Sequence, residues 1–356
     1  MTISQLSLTN FRGLKSTTLN FHPHINLVTG DNGTGKTSLL ESINVIVQAS
    51  SFQTHRLKNC ISHADQQLLL FARFENYKVG LSKSYTKLNI KIDGDVVKKR
   101  SILVKKTPAS IINADSFQLI TGSPSLRRSF IDWCLFHVEH EYAGYFAQAK
   151  HALKQRNSIL KSRKDINLVD YWDKHLIEPS LVICELRKKY SIIISSMLNL
   201  ELNDLLGEVK LDIEYDQGWP IDLQLEESMK ASRNRDIKLG FTHCGIHRDN
   251  IKLSTNGLPV TDVLSRGQLK RICIALHIVR LKIVKSLTNK SIILLVDDIS
   301  SELDVKSQTL AFKYLLELGV QLFITNISNE VPKALQNKEF KMFHVEHGII
   351  SARKIS

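Results

Sequence analysis

The feature that most constrains the fold is a glycine-rich segment near the N-terminus that matches the pattern G-x-x-x-x-G-K-[ST] in full. Its residues are Gly30, Asp31, Asn32, Gly33, Thr34, Gly35, Lys36 and Thr37, followed by Ser38. An apolar strand is predicted before the segment and a helix after it, so that backbone N–H groups and a helix N-terminus can bind phosphate. We predict that these nine residues bind ATP, with Lys36 as a catalytic cation on the β- and γ-phosphates and Thr37 as a Mg²⁺ ligand.

A second acidic element is expected wherever such a loop holds a metal. The apolar run 292–296 has the composition of a strand buried on both faces of a parallel sheet, and it ends in Asp297 and Asp298. We expect Asp297 to hold Mg²⁺ directly or through water. Asp298 is the candidate catalytic base that orients or deprotonates the water attacking ATP. A strand that merely ends at an acidic turn would give the same local pattern.

The segment Leu264-Ser265-Arg266-Gly267-Gln268 forms an S-x-x-Q capping box at the start of a predicted helix. It also resembles the L-S-G-G-Q signature of ABC-type ATPases, although an ordinary capped helix accounts for the local pattern as well. The resemblance implies that Ser265, Gly267 and Gln268 contact the γ-phosphate of ATP held on a partner subunit. Residues 301–304 resemble the D-loop that crosses the same interface.

The order of predicted elements indicates an α/β fold with an insertion. Residues 1–115 contain mostly strands, including a hairpin at 68–84, and form the first half of an ATPase lobe with the phosphate-binding loop. Residues 116–240 are mainly helical, with one helix predicted after Pro179. Residues 241–356 return to alternating strands and helices. We therefore predict an ABC-type ATPase head with a mixed sheet, and, since no sustained heptads appear, a compact helical lobe in place of an SMC coiled coil.

The charge favours a polyanionic partner. The chain has 48 Lys and Arg against 35 Asp and Glu, a formal net charge of +13. Basic residues without any acid occur at 98–106, 150–164 and 266–285; such clusters attract DNA, but they also occur as solvated surfaces. No apolar run approaches the roughly 18 residues needed to span a bilayer. With five dispersed cysteines and no signal-peptide pattern, we expect a cytoplasmic location and no membrane partner.

Together these stretches resemble the RecF family of bacterial recombination mediators, which are SMC-like ATPases. The resemblance covers the whole chain; besides the motifs above it includes residues 10–12, 122–124, 127–133, 153–157, 245–249 and 296–304. It implies an ATP-dependent homodimer that binds DNA, single-stranded or at gapped or duplex junctions, and works with RecR and RecO-type mediators. Such a protein helps load recombinase at single-strand gaps during repair, replication and the SOS response. Ile246 and residues 113–115 depart from the family pattern, and the second departure leaves the Q-loop unplaced.

Other interpretations remain open at this stage. An ABC-type subunit of a transporter or of a defence system would share the nucleotide motifs, although the basic lobe and the short C-terminal stretch favour neither. His243, Cys244 and His247 could ligate a metal, but a second cluster at ligand spacing is lacking in the sequence. Residues 247–250 mimic part of a kinase catalytic loop without its companion motifs. Phe130, Trp133 and Phe136 are read as core residues rather than base-stacking platforms.

Overall fold

The computed structural model describes residues 2–298, 303–327 and 331–353, and the chain divides into two compact units. The first unit comprises residues 1–116 and 285–356, and the second comprises residues 117–284. The first boundary lies one residue from the predicted one at 115/116. The second differs, because residues 241–284 group with the helical lobe and not with the ATPase lobe to which the sequence assigned them. No helix among the described residues is long and apolar enough to cross a membrane.

The described residues form strands β1 (Ile3–Thr9), β2 (Thr17–Asn20), β3 (Ile25–Thr29), β4 (Gln67–Phe74), β5 (Lys78–Ser84), β6 (Leu88–Ile92), β7 (Asp95–Val96), β8 (Ala109–Ile112), β9 (Asp212–Asp216), β10 (Asn250–Thr255), β11 (Leu258–Pro259), β12 (Ile293–Val296), β13 (Gln321–Asn326), β14 (Lys341–Glu346) and β15 (Ile349–Arg353). The helices are α1 (Lys36–Gln48), α2 (Arg100–Lys106), α3 (Gln118–Thr121), α4 (Pro124–Val138), α5 (Tyr142–Ser162), α6 (Val169–Glu201), α7 (Asn203–Leu206), α8 (Leu225–Leu239), α9 (Val260–Val263), α10 (Arg266–Thr288) and α11 (Val305–Glu317).

The first unit contains two six-stranded sheets. The central sheet has the order β15-β14-β3-β13-β12-β8, in which only β15 runs antiparallel to its neighbour, so it is a mixed sheet as predicted. Its strands β3 and β12 are buried along their whole length, as expected where both faces are covered. The outer sheet, with the order β2-β1-β4-β5-β6-β7, is antiparallel. One hydrophobic core joins its inner face to α1 and to the central sheet.

The second unit is the compact helical lobe that the absence of heptads predicted. Helices α5 and α6 pack together, and a buried arginine on α5 joins three segments. The Arg156 guanidinium donates Nε to Asp173 Oδ1 of α6 at 2.5 Å and Nη1 to Asp236 Oδ2 of α8 at 2.8 Å. Nη1 also donates to the Thr242 hydroxyl at 2.8 Å. Because Arg156 is fully buried, removing one partner would leave an uncompensated charge in the interior.

The helix predicted after Pro179 is present over residues 180–201, but it begins before the proline. Helix α6 starts at Val169, so Pro179 lies inside it. Proline lacks the N–H group for the helical hydrogen bond and clashes with the preceding turn, which costs about 3 kcal/mol. Pro179 is buried together with Leu176 and Ile183 of the same helix. Burial of one continuous apolar face against α5 outweighs the local penalty, because tertiary packing supplies most of a helix's stability.

A buried histidine makes the stability of the second unit depend on pH. Burial, with the neighbouring charge of Arg280 adding to it, lowers the pKa of His277 well below its ordinary value. His277 Nδ1 lies 3.1 Å from Arg280 Nη2 and accepts its hydrogen bond in the neutral form. Below about pH 6.5, the ordinary histidine pKa, the unfolded chain therefore takes up a proton that the folded chain excludes, and stability falls.

We predict that wild type loses more stability on acidification than His277→Asn, which keeps an acceptor but cannot titrate. The difference in unfolding free energy between the two should shrink by up to about 1.4 kcal/mol per pH unit below pH 6.5. Urea unfolding at several pH values measures this. The exposed residue His55 supplies the control, His55→Asn. A pH-independent difference between wild type and His277→Asn would contradict the assignment.

Candidate nucleotide site

The glycine-rich loop begins where β3 ends, and its backbone requires glycine. Gly30, Gly33 and Gly35 have φ angles of 146°, 79° and 115°, which side-chain-bearing residues rarely adopt. A Cβ on Gly30 would lie 2.3 Å from the carbonyl oxygen of Val345, and one on Gly35 would lie 2.8 Å from Leu14 Cδ2. The loop is thus seated closely against β14 and the segment after β1. Its N–H groups and the start of α1 form the phosphate-binding arrangement that the motif predicts.

Lys36 lies at the start of α1 and points back into the loop. Its Nζ donates to the carbonyl oxygens of Gly30 at 2.7 Å and Asp31 at 2.8 Å, and the residue is buried. Burial lowers the pKa of Lys36, while the nearby carboxylates of Asp298 and Asp297 oppose that shift. The ammonium group is therefore held inside the loop, where a phosphate bound by the N–H groups would meet it.

The Asp297 carboxylate accepts hydrogen bonds from hydroxyl groups on two neighbouring elements. Thr37 Oγ1 donates to Asp297 Oδ2 at 2.9 Å, and Thr325 Oγ1 donates to Asp297 Oδ1 at 2.8 Å. The backbone N–H of Asp298 donates to Thr325 Oγ1 at 2.8 Å. Because β13 lies between β3 and β12, Thr325 stands between the loop and the acidic pair and fixes both acids. The structure brings together Lys36, Thr37, Asp297 and Asp298, as the sequence predicted.

Thr325 is a residue that the sequence analysis missed. It lies near the carboxyl end of β13 and is fully buried. The available signal was its place at the end of a third apolar strand, since ligand sites in such sheets form at the carboxyl ends of several neighbouring strands. A single threonine carries no motif, so only the strand order identifies it.

The side chains at this edge of the sheet fit magnesium and a polyphosphate. A hydroxyl and a carboxylate, from Thr37 and Asp297, meet at the mouth of the loop, and hard oxygen ligands of this kind are what Mg²⁺ requires. The phosphate charge would be met by Lys36 and by the loop N–H groups. Asp31 and Asn32 are exposed at the outer end of the loop, and Thr34 Oγ1 donates to the Asp31 carbonyl oxygen at 2.9 Å.

The signature segment forms a separate local group in the second unit. The backbone N–H of Ser265 donates to Gln268 Oε1 at 2.8 Å, and the N–H of Gln268 donates to Ser265 Oγ at 3.3 Å. These are the two hydrogen bonds of the predicted capping box, and α10 begins at Arg266. Ser265 and Gly267 are exposed, so the positive end of this helix faces solvent. In the predicted D-loop, residues 301 and 302 lie outside the described residues, and Asp304 caps α11 by accepting from the N–H of Ser307 at 3.0 Å.

The other candidate clusters have local partners. His243 Nδ1 lies 2.7 Å from Asp236 Oδ1, and His247 Nε2 lies 3.0 Å from the carbonyl oxygen of Thr242. No group of three metal-binding side chains occurs in the part of the chain that the structure describes. Asp249, which gave the kinase-like pattern, is buried and accepts from Arg187 Nη1 at 2.6 Å.

The aromatic residues of α4 support the core interpretation. Phe130 is buried. The guanidinium carbon of buried Arg280 lies 4.6 Å from the ring centroid of Phe130 and 4.3 Å from that of Trp133. Arg280 was counted in the basic cluster 266–285, but it packs inside the unit and does not reach solvent. The same holds for Arg156 of the cluster 150–164.

This fold and site define a P-loop ATPase head of the ABC and SMC type. The model of the RecF/RecN/SMC N-terminal domain matches residues 2–351. The DNA replication and repair protein RecF of Shewanella woodyi is 35% identical over 99% of this chain and 98% of its own. The chain belongs to the RecF family.

Solved structures agree with that assignment. The structure of the recombination mediator protein RecF with ATP in the RecFOR pathway superimposes with a TM-score of 0.87 at 25% identity, covering 99% of this chain and 98% of that one. An SMC head domain with an extended coiled coil, from Pyrococcus furiosus and bound to the C-terminal domain of ScpA, gives a TM-score of 0.60 at 12% identity, covering 100% and 96%. The second likeness shows the fold alone.

We predict that any side chain at Gly30 destabilises the protein, because the loop packs directly against the Val345 carbonyl. Gly30→Ala would place a methyl group against the Val345 carbonyl at a strained φ, and the free energy of unfolding should fall by about 2 kcal/mol or more. Gly33→Asn is the matched control, because no atom lies within 4 Å of a Cβ there and asparagine tolerates positive φ. Urea unfolding of both variants measures the difference. Equal stability of the two variants would contradict the close packing of Gly30 against β14.

Proposed function

We propose that this protein is an ATP-dependent DNA-binding protein of recombinational repair. Its role is to help load recombinase at single-strand gaps, with consequences for replication-fork maintenance and SOS induction. The observation that carries the proposal is the meeting of Lys36, Thr37 and Asp297 at one edge of the central sheet, in a chain of the RecF family. The relatives described above support this function and not that of a transporter or a defence ATPase.

The proposed chemistry assigns one task to each side chain. Lys36 and the loop residues 30–38 bind the phosphates of ATP, and Thr37 and Asp297 hold Mg²⁺, which would draw charge from the β- and γ-phosphates. Asp298 orients or deprotonates the attacking water. Thr325 holds Asp297 and the backbone of Asp298 in place through its hydroxyl. The products are ADP and phosphate, formed slowly unless DNA is present.

The proposed partners follow from charge and family. A chain with a formal net charge of +13 attracts nucleic acid at long range. We place single-stranded DNA and gapped or duplex junctions among its ligands, RecR and RecO-type mediators among its protein partners, and its site of action in the cytoplasm.

The proposed assembly is an ATP-dependent homodimer. Lys36, Thr37 and Asp297 all belong to one unit and supply ligands from one side of the nucleotide. The exposed N-terminus of α10, with Ser265, Gly267 and Gln268, offers N–H groups, a hydroxyl and a positive dipole end to an anion. In the proposed dimer, this end of one subunit meets the γ-phosphate held by Lys36 of the other. ATP then favours the dimer and ADP does not, since only ATP carries the phosphate that both subunits contact.

We predict that Lys36→Ala weakens ATP binding by about 10- to 100-fold, because a charge-assisted contact to the phosphates is lost. Equilibrium binding of a fluorescent ATP analogue measures this. Lys87→Ala, which removes an exposed lysine from the turn between β5 and β6, is the control and should bind as wild type does. Equal affinity in wild type and Lys36→Ala would refute the nucleotide site.

We further predict that Ser265→Arg blocks dimerisation and ATP turnover together while leaving ATP binding by the monomer nearly unchanged. The added side chain would occupy the space that the γ-phosphate of the partner needs. Sedimentation with ATP, with ADP and without nucleotide measures association. Ser158→Arg adds the same charge to an exposed position of α5 and should dimerise normally. Dimerisation of Ser265→Arg on ATP, or equal dimerisation of wild type on ADP, would rule out the shared site.

A further inference from the structure

The outer sheet exposes two large apolar side chains on its solvent side. Along β4 exposed and buried residues alternate strictly, and the exposed set includes Leu69 and Phe71. Leu69 is 42% exposed and Phe71 is 38% exposed. The solvent side of an antiparallel sheet normally carries polar residues. Since β4 is the third of six strands, the two side chains lie in the middle of this surface, which we name the outer face.

The outer face is also positively charged. The register places Arg73 of β4 beside Lys78 of β5, and Lys91 of β6 two strands away from Phe71. Strand residues on this side include no aspartate or glutamate. Within residues 2–298, 303–327 and 331–353, the side chains of these three cations form no ion pair, so their charge is available to a ligand.

Two acids, Glu75 and Asp93, lie in turns at the border of the face, and each accepts a hydrogen bond. Glu75 accepts a hydrogen bond from Thr2 Oγ1 at 2.7 Å, and Asp93 accepts one from the backbone N–H of Lys78 at 2.8 Å. Neither carboxylate pairs with a cationic side chain of the outer face. An anionic ligand on the face would therefore meet attraction over most of the surface.

Phe71 has small neighbours on both adjacent strands. Its cross-strand neighbours are Ser7 of β1 and Gly80 of β5, which have small side chains or none. Phe71 makes no ring–ring contact with any other described aromatic residue. Lys91 is the next residue across from Gly80, so its Cα lies two strand spacings, or about 10 Å, from that of Phe71. A nucleotide stacked on the ring has its phosphate within reach of the lysine side chain.

We propose that the outer face binds single-stranded DNA, with a base stacked on Phe71, the adjoining nucleotide against Leu69, and phosphates on Arg73, Lys78 and Lys91. The inference rests on the proposed function in that DNA is the polymer. A single strand is favoured over duplex because only unpaired bases can leave their stack and cover an aromatic ring. A Cβ at Gly80 would meet only the Lys91 Cβ, at 4.0 Å, so the ring of Phe71 does not pack over that glycine.

The two kinds of contact leave different signatures, which permits a sharp test. Binding of fluorescein-labelled oligo-dT is measured by anisotropy over a range of salt concentrations. Phe71→Ala should weaken binding by about 5- to 100-fold without changing the salt slope, because stacking releases no counterions. Lys91→Gln should weaken binding and reduce the slope of log Kd against log salt by about 0.7, since one phosphate contact is lost. Phe71→Trp should retain binding.

Two matched variants and a duplex arm complete the experiment. Leu168→Ala removes an apolar side chain of similar exposure, 45%, from the other unit, and Lys188→Gln removes an exposed charge from α6, outside the basic clusters. Both should bind the single strand as wild type does. Phe71→Ala should bind a duplex of the same length with wild-type affinity. Every variant is first checked for wild-type ATP affinity and unfolding.

Several results would overturn the proposal. Unchanged single-strand affinity of Phe71→Ala is one, whichever other variant loses binding. Equal losses on single strand and duplex are another. In these cases the proposed function still stands, because wild type still binds DNA. Failure of wild type to bind any DNA with ATP, ADP or neither would instead remove the proposed function together with this site.

Discussion

The carboxylate of Asp297 is the point on which the arrangement of the site depends. It accepts one hydroxyl from Thr37, after β3, and one from Thr325, on β13. A hydrogen bond to a charged acceptor is worth about 1.5–3 kcal/mol, more than one between neutral groups. These bonds are possible only because β3, β13 and β12 run parallel in this order, which brings their carboxyl ends to one edge. The strand order thus brings these side chains together, and the loop motif alone does not.

The parts of this site that follow local rules could be predicted from the sequence. The strand Ile25–Thr29, the loop after it and the capping box at Ser265 each depend on residues within a few positions of one another. Thr325 could not be predicted in the same way, because its role arises from a strand that enters the sheet almost 300 residues after the loop. The start of α6 could not be predicted for the opposite reason, since the local rule for Pro179 is overridden by burial of the helix that contains it.

The positions of exposed cations also could not be predicted from runs of basic residues in the sequence. Runs of lysine and arginine along the chain suggested three DNA surfaces, but Arg156 and Arg280 within those runs are buried and paired with carboxylates or aromatic rings. The cations of the outer face are separated in the chain by turns and buried residues, and so they form no run. They come together only through the antiparallel register. Side-chain alternation, more than local charge density, decides which charges of a β-sheet protein meet a ligand.

The outer sheet and the phosphate-binding helix are linked by a buried ion pair. Arg12, which follows β1, donates Nε and Nη2 to the two carboxylate oxygens of Glu41 on α1, each at 2.8 Å, and Glu41 is fully buried. Burial raises the pKa of Cys60 to about 12, with Glu41 adding to the shift, so the thiol stays protonated and donates to the same carboxylate. Separating Arg12 from Glu41 would leave a buried charge without its partner, at a cost of about 3–5 kcal/mol. The pair thus holds the segment after β1 against α1, and β1 in turn pairs with β4, the strand that bears Phe71.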